Sequence, residues 1–165
     1  MSSSRSYEFT GGMLRVGGAA LHRIRAVTDL PRHGVRAGDM GGWVESTDNL
    51  SGDAWVFGDA RVFGAAEVSG DARVSGDAEV CVSQDVLTVG PIGSESVTAT
   101  LYRTAAGHGL HVGCWDGHVD DLAAEVERRS TDWNADPATA ARWRAEYAAL
   151  EVLCRARIAG WAAVQ

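Results

Sequence analysis

Residues 52–81 read GDAWVF GDARVF GAAEVS GDARVS GDAEVC, five hexads joined without a gap. Valine recurs at one phase (Val56, Val62, Val68, Val74, Val80), and Val44, Leu50 and Val86 carry that phase outward. Alanine stands two residues before each of the five valines, glycine opens each hexad, and aspartate follows it in four of the five. Neither a helix nor a single amphipathic strand has a period of six. A short fixed repeat marks a solenoid, whose units cannot bury their apolar faces alone.

One hexad shows the physics. Alanine and valine two apart lie on one face of a short extended segment, so both point inward. Glycine tolerates positive φ and aspartate bonds its own turn, so Gly-Asp supplies a corner. Three segments and three corners close a coil of roughly 18 residues, the hexapeptide parallel β-helix. That register stacks Trp55 over Arg73 as a cation–π contact and Arg61 over Glu79 as an ion pair. It also makes three internal ladders: Leu50, Val68 and Val86; Val56 and Val74; Val44, Val62 and Val80. A flexible glycine-rich linker would need no such ladders.

Charge is spread unevenly. The formal net charge is −7, made of +3 over residues 1–40, −7 over 41–90 and −3 over 91–165, and every cation is arginine. An acidic repeat disfavours nucleic acid along its length. Cys81, Cys114 and Cys154 are odd in number and lack CxxC pairing, which predicts free thiols in a reducing compartment. No apolar run reaches membrane-spanning length and MSSSRSYEFT has no signal-peptide core, so the expectation is a cytoplasmic protein without a membrane partner.

In chain order, residues 1–6 are expected to fray. Residues 7–27 read as short strands joined by Gly-Gly turns, with LHRIRAV open between strand and helix. Residues 30–46, LPRHGVRAGDMGGWVES, hold turns before the first coil. Arg23, Arg25, Arg32, His33 and Arg36, with His22, form the one basic neighbourhood. It is either a solvated cap or an anion site, since guanidinium forks bind phosphate bidentately. After the repeat the chain leaves through a Gly-Pro turn at 90–91; SVTATLYRT and LHVGCW form a hairpin that ends at Asp116-Gly117. A helix is expected over Val119–Arg129, its acids early and Arg128-Arg129 late. Asp136-Pro137 caps a second, reaching about Trp161, on which Trp143, Tyr147, Leu150, Cys154, Ile158 and Trp161 share one face. The predicted organisation is a cap over 1–42, a hexapeptide β-helix over 43–86 and a small α+β domain over 87–165, mainly β overall.

Several strings carry a resemblance. YEFTG, LHRIRAV, RHGVRAGDMGGWVES with NLS, and AWVFGDARV resemble a family of small phage and prophage hexapeptide-repeat proteins. Over 87–154, VGPIGS, TLYRT, VGCWDG, an acidic helix and a terminal aromatic helix are similar to the domain that often follows. The repeat array here is shorter than usual, and Trp115 stands where a smaller aromatic is more common. The resemblance implies a left-handed parallel β-helix and a viral setting in which host-directed binding is plausible.

Three function classes compete. A hexapeptide acyltransferase needs a general base, and all five histidines (His22, His33, His108, His111, His118) lie outside the coils. A ligand-binding protein would use outward Trp55, Phe57 and Phe63 beside Arg61 and Arg73, in a homo-oligomer for which a trimer is favoured. The third is a scaffold that docks a protein partner. The expected function is a non-catalytic ligand-binding protein, a sponge for a nucleotide-derived immune signal. Its candidate ligand-binding residues are Arg23, Arg25, Arg32, His33, Arg36, Trp43, Trp55, Arg61, Arg73 and Arg103; no catalytic residue, metal ligand or cofactor is assigned. Arg103, placed in the C-terminal domain near Gly93-Ser94, is either an anion contact or a surface ion pair. Strand alternation sets His111 and Cys114 on opposite faces, against zinc, and Cys114 reads as a buried free thiol.

Overall fold

The computed structural model describes residues 4–162. Among these the chain is mixed and strand-rich, with eleven strands and two helices. It divides into two compact units, one built on residues up to Val86 plus Tyr102–Gly107, the other on Leu87–Leu101 plus residues from His108 onward.

In the first unit, β1 (Tyr7–Val16) and β2 (Ala19–Ala26) form an antiparallel hairpin, followed by β3 (Met40–Val44). The hexads give two-residue strands β4 (Trp55–Val56), β5 (Arg61–Val62), β6 (Arg73–Val74) and β7 (Glu79–Val80). They pair in parallel at a constant offset of 18 residues: Val44 with Val62 and Val62 with Val80, Val56 with Val74, and Leu50 with Val68. The repeat alanines and valines are at most 1% exposed. Between them the hexad glycines turn at φ of 57–65°, the left-handed region that a side chain disfavours.

Both edges of the parallel stack β3-β5-β7 are covered. β2 lies antiparallel on β3, pairing His22 with Val44 and Arg23 with Trp43. At the other edge Thr104 bridges Ala78 antiparallel, and the Ala105 N–H donates to Asp77 at 3.4 Å. The stack is also finished at its corners. The 3-10 turns Thr47–Asn49 and Ser83–Asp85 stand 36 residues apart, two offsets of 18. Asn49 Nδ2 donates to the Gly64 and Ala66 carbonyls (3.1 and 2.8 Å), while Asp85 Oδ2 accepts from the Cys81 and Val82 N–H groups (3.0 and 3.1 Å). Where the Gly-Asp pattern stops, amide and carboxylate side chains satisfy the backbone instead.

Gly41-Gly42 is a packing requirement. A Cβ at Gly42 would lie 2.5 Å from the Ala60 carbonyl oxygen, and one at Gly41 2.7 Å from Ile24 and 2.8 Å from Trp55. Several local expectations are corrected. LHRIRAV is strand, and Gly11-Gly12 is not a turn but a bulge within β1, where the register shifts between Phe9 and Met13. Residues 1–3 of the segment expected to fray lie outside the described residues, and Ser6 is buried, with its Oγ donating to the Gly52 carbonyl at 3.2 Å.

The strands β8 (Val86–Ile92), β9 (Val97–Thr104), β10 (Gly107–Val112) and β11 (Trp115–Gly117) form a sheet in the order β11-β10-β9-β8, whose residues belong to the second unit except Val86, Tyr102–Thr104 and Gly107. Gly90-Pro91 is therefore not an exit turn; it sits inside β8, an edge strand, where a missing N–H is tolerated. Asp116-Gly117, expected to end a two-stranded hairpin, belongs to a further strand, β11, which returns onto β10 and closes the sheet. Helices α1 (Val119–Ser130) and α2 (Pro137–Ala162) follow. The Asp136 carboxylate accepts from the Thr139 hydroxyl at 2.7 Å and the Thr139 N–H at 2.9 Å, capping α2, and that bonding, the hydroxyl's first, lowers its pKa. Tyr147, Leu150, Cys154 and Trp161 of α2 are buried, with Trp143 and Ile158 packed beside them. Burial pushes the Cys154 thiol up to about 11. Among the described residues no helix is long and apolar enough to cross a membrane.

Candidate ligand-binding face

The register of β2, β3, β5 and β7 places Arg23, Trp43, Arg61 and Glu79 side by side in one row. Their neighbours Ile24, Val44, Val62 and Val80 are fully buried, so strand alternation turns the row away from the core. Strands stand about 4.8 Å apart, making the row roughly 14 Å long. The Arg23 guanidinium carbon lies 5.2 Å from the Trp43 ring centroid, and its Nη1 is 3.6 Å from Asp59. Arg61 Nη1 donates to Glu79 Oε1 at 3.2 Å. The row alternates cation, ring, cation and carboxylate on a half-buried surface.

At the Glu79 end the face opens into a cleft of about 270 Å³ lined by Phe63, Glu79, Cys81, Asp85, Arg103, Thr104 and Ala105. Phe63 and Cys81 share the outward side of the coil with Glu79. The Arg103 Nη1 approaches Asp85 Oδ1 at 3.5 Å, and Asp85 is the buried member of the pair. Burial, followed by the charges of Asp85 and Glu45, raises the Cys81 pKa, which keeps the thiol protonated and poorly nucleophilic.

Of the residues expected to bind ligand, Arg23, Trp43 and Arg61 share the row and Arg103 borders the adjoining cleft. Arg103 belongs to the first unit, within Tyr102–Gly107, and not to the second. The others are elsewhere. Arg25 pairs with Glu8 and Arg32 with Asp71, each through a short bond. Arg36 is exposed in a turn where its N–H donates to Asp39 at 2.9 Å. His33 is buried, edge-on to Phe57 at 6.3 Å. Trp55, expected outward and exposed, is fully buried, in one apolar cluster with Ile24, Leu30 and Val35. Arg73 is Trp55's register partner yet lies over Phe57, 3.9 Å from its centroid. Phe63, expected outward beside Arg61, lines the cleft, whereas Asp85 was not among the expected ligand residues. Asp85's one signal was its place 36 residues after Asn49.

In the second unit the histidines are occupied locally. His108 Nε2 accepts the Val119 N–H at 3.1 Å, and His111 Nδ1 lies 2.8 Å from Asp116 Oδ1. Burial, then the neighbouring His118, lowers the His108 pKa. Cys114 is exposed rather than buried, and Arg129 Nη2 lies 3.4 Å from its sulfur. A slot of about 200 Å³ runs between α1 and α2, with Leu122, Ala123, Val126, Tyr147 and Ala148 on its apolar walls and Glu127, Arg144 and Glu151 also lining it. No protein-family model matches this chain, and no curated protein matches its sequence.

Proposed function

We propose that this chain is a non-catalytic ligand-binding protein, and that the row Arg23–Trp43–Arg61 receives an anionic, planar ligand of the nucleotide class. The observation that carries the reading is the register itself, which holds a ring between two guanidinium groups on one sheet face. Ring and guanidinium planes stack on a base, and guanidinium forks hold phosphate. Arg23 and Arg61 already have carboxylate partners, so a ligand must bring enough negative charge to displace Asp59 and Glu79. A phosphate-bearing ligand does.

In the same reading the parallel ladders at an offset of 18 are the faces of a left-handed β-helix. The chain associates as a homotrimer, supported by the exposed apolar side chains of Met13, Val27 and Met40. It works as a sponge for a nucleotide-derived immune signal in the host cytoplasm, a setting taken from its resemblance to phage hexapeptide-repeat proteins. Thermal shift against cyclic nucleotides, ADP-ribose derivatives and acetyl coenzyme A tests the ligand, since a ligand at 100 times its Kd adds about 2.7 kcal/mol. A nucleotide recovered intact, with binding lost in Trp43→Ala and Arg61→Ala, is the expected result. No shift with any nucleotide rejects it, and a shift with acetyl coenzyme A alone favours an acyltransferase. Light scattering at the mass of one chain rejects the trimer.

A second reading, a scaffold for a protein partner, is favoured by the apolar walls of the slot between α1 and α2, with Val152 and Leu153 exposed on α2. Protection of α1 and α2 amides by a partner, without any ligand response, distinguishes it.

A further inference from the structure

The cleft beyond the row presents its charges in an order that a nucleotide does not use. Glu79 is held by Arg61 through one oxygen at 3.2 Å and its side chain is 44% exposed, which leaves a second acceptor oxygen available. Asp85 is 6% exposed; its Oδ2 already takes two backbone N–H bonds, and its Oδ1 meets Arg103 only at 3.5 Å. Arg103 is thus oriented by a fixed carboxylate but weakly consumed by it. The Arg103 side chain is 34% exposed, and the rest of its guanidinium keeps donors spaced to grip a carboxylate bidentately. Phe63 supplies an apolar wall.

The charged residues that line the cleft, Glu79, Asp85 and Arg103, sum to −1, which disfavours a net anion, whereas a ligand with both signs meets an opposite charge at each end. The volume of about 270 Å³ falls just under the range of roughly 300–1,000 Å³ usual for small-molecule sites, which suits a metabolite smaller than a nucleotide. We infer that this cleft binds a small zwitterion, an α-amino acid with an apolar side chain: carboxylate on Arg103, ammonium on Glu79, side chain against Phe63. The site adjoins the row and shares Glu79 with it, but its ligand is of another class and does not use Trp43.

The test is an NMR titration of the full chain with L-phenylalanine, 3-phenylpropionate and phenethylamine, which share one apolar body and differ in charge. The amino acid should shift the Phe63, Cys81 and Thr104 amides, with a Kd at least about tenfold below that of either analogue. Glu79→Gln should weaken it about tenfold while leaving the spectrum folded. Arg103→Ala strips Asp85 of its ion partner and risks unfolding, so Arg103→Lys, which keeps the charge and loses the fork, should weaken binding several-fold. Either analogue binding as tightly as the amino acid overturns the proposal, as does the absence of shifts for all three ligands at about 10 mM. Trp43→Ala should leave amino-acid binding intact, so this site and the nucleotide row fail separately.

Discussion

Arg73 stacks on Phe57 at 3.9 Å although the residue opposite it in the parallel ladder is Trp55. The indole is unavailable, because it is sealed in the core near Ile24 and Gly41. The guanidinium takes the half-buried ring two residues on. Trp55→Ala should therefore cost about 3–5 kcal/mol in chemical denaturation, as for other buried aromatics. Phe57→Leu, which keeps apolar bulk and removes the ring, should cost about 1 kcal/mol. A Trp55→Ala protein of unchanged stability would return this residue to the surface.

The Gly41-Gly42 pair should be among the least replaceable positions of the first unit. Gly42→Ala forces a methyl to 2.5 Å from the Ala60 oxygen and 2.6 Å from Val56, and overpacking of this kind costs about 1–3 kcal/mol. At Gly58 a Cβ meets open space, but φ of 57° remains, so Gly58→Ala should lose about 1 kcal/mol from backbone strain alone. Urea midpoints of the two variants give the ordering.

Asn49 stands in for backbone at the corner where the hexads begin. Asn49→Ala leaves the Gly64 and Ala66 carbonyls without its amide, and one unsatisfied buried group costs about 1–3 kcal/mol. Hydrogen exchange should quicken first at Val68, whose N–H donates to the Asn49 carbonyl at 2.9 Å. Asn49→Asp should be no better, since the two carbonyls need a donor.

The second unit should soften in mild acid through His108. Its folded pKa lies below the ordinary 6.5, chiefly because burial penalises the imidazolium. The neutral ring is the form the fold prefers, so its contribution is full above about 6.5 and is lost as pH falls through the lower folded value. Protonation also removes the Nε2 lone pair that accepts the Val119 N–H at the start of α1. Melting between pH 7.5 and 5 should show a decline that His108→Gln flattens. An equal decline in that variant would assign the effect to another group.

Much is legible in the sequence because much of it is periodic. The six-residue phase named every inward alanine and valine, and the offset of 18 anticipated the Arg61–Glu79 bond. The α2 face could be read because one helix reports its own amphipathicity. Long-range cover was not legible. Nothing local to Trp55 says that Ile24 and the glycine pair will enclose it. Nor does the spacing of Arg25 or Arg32 reveal Glu8 and Asp71 as partners.

By itself the sequence determined the repeat, its inward and outward sides, the turn glycines of the hexads and both helices, since each follows from steric or capping preferences within a few residues. Only the tertiary structure decided which outward residues meet. Arg23 joins Trp43 and Arg61 because β2 reverses onto β3, and Arg103 reaches Asp85 because residues 102–107 cover the far edge of the sheet. Those pairings join distant chain segments, which share surface once the edges of the stack have been covered.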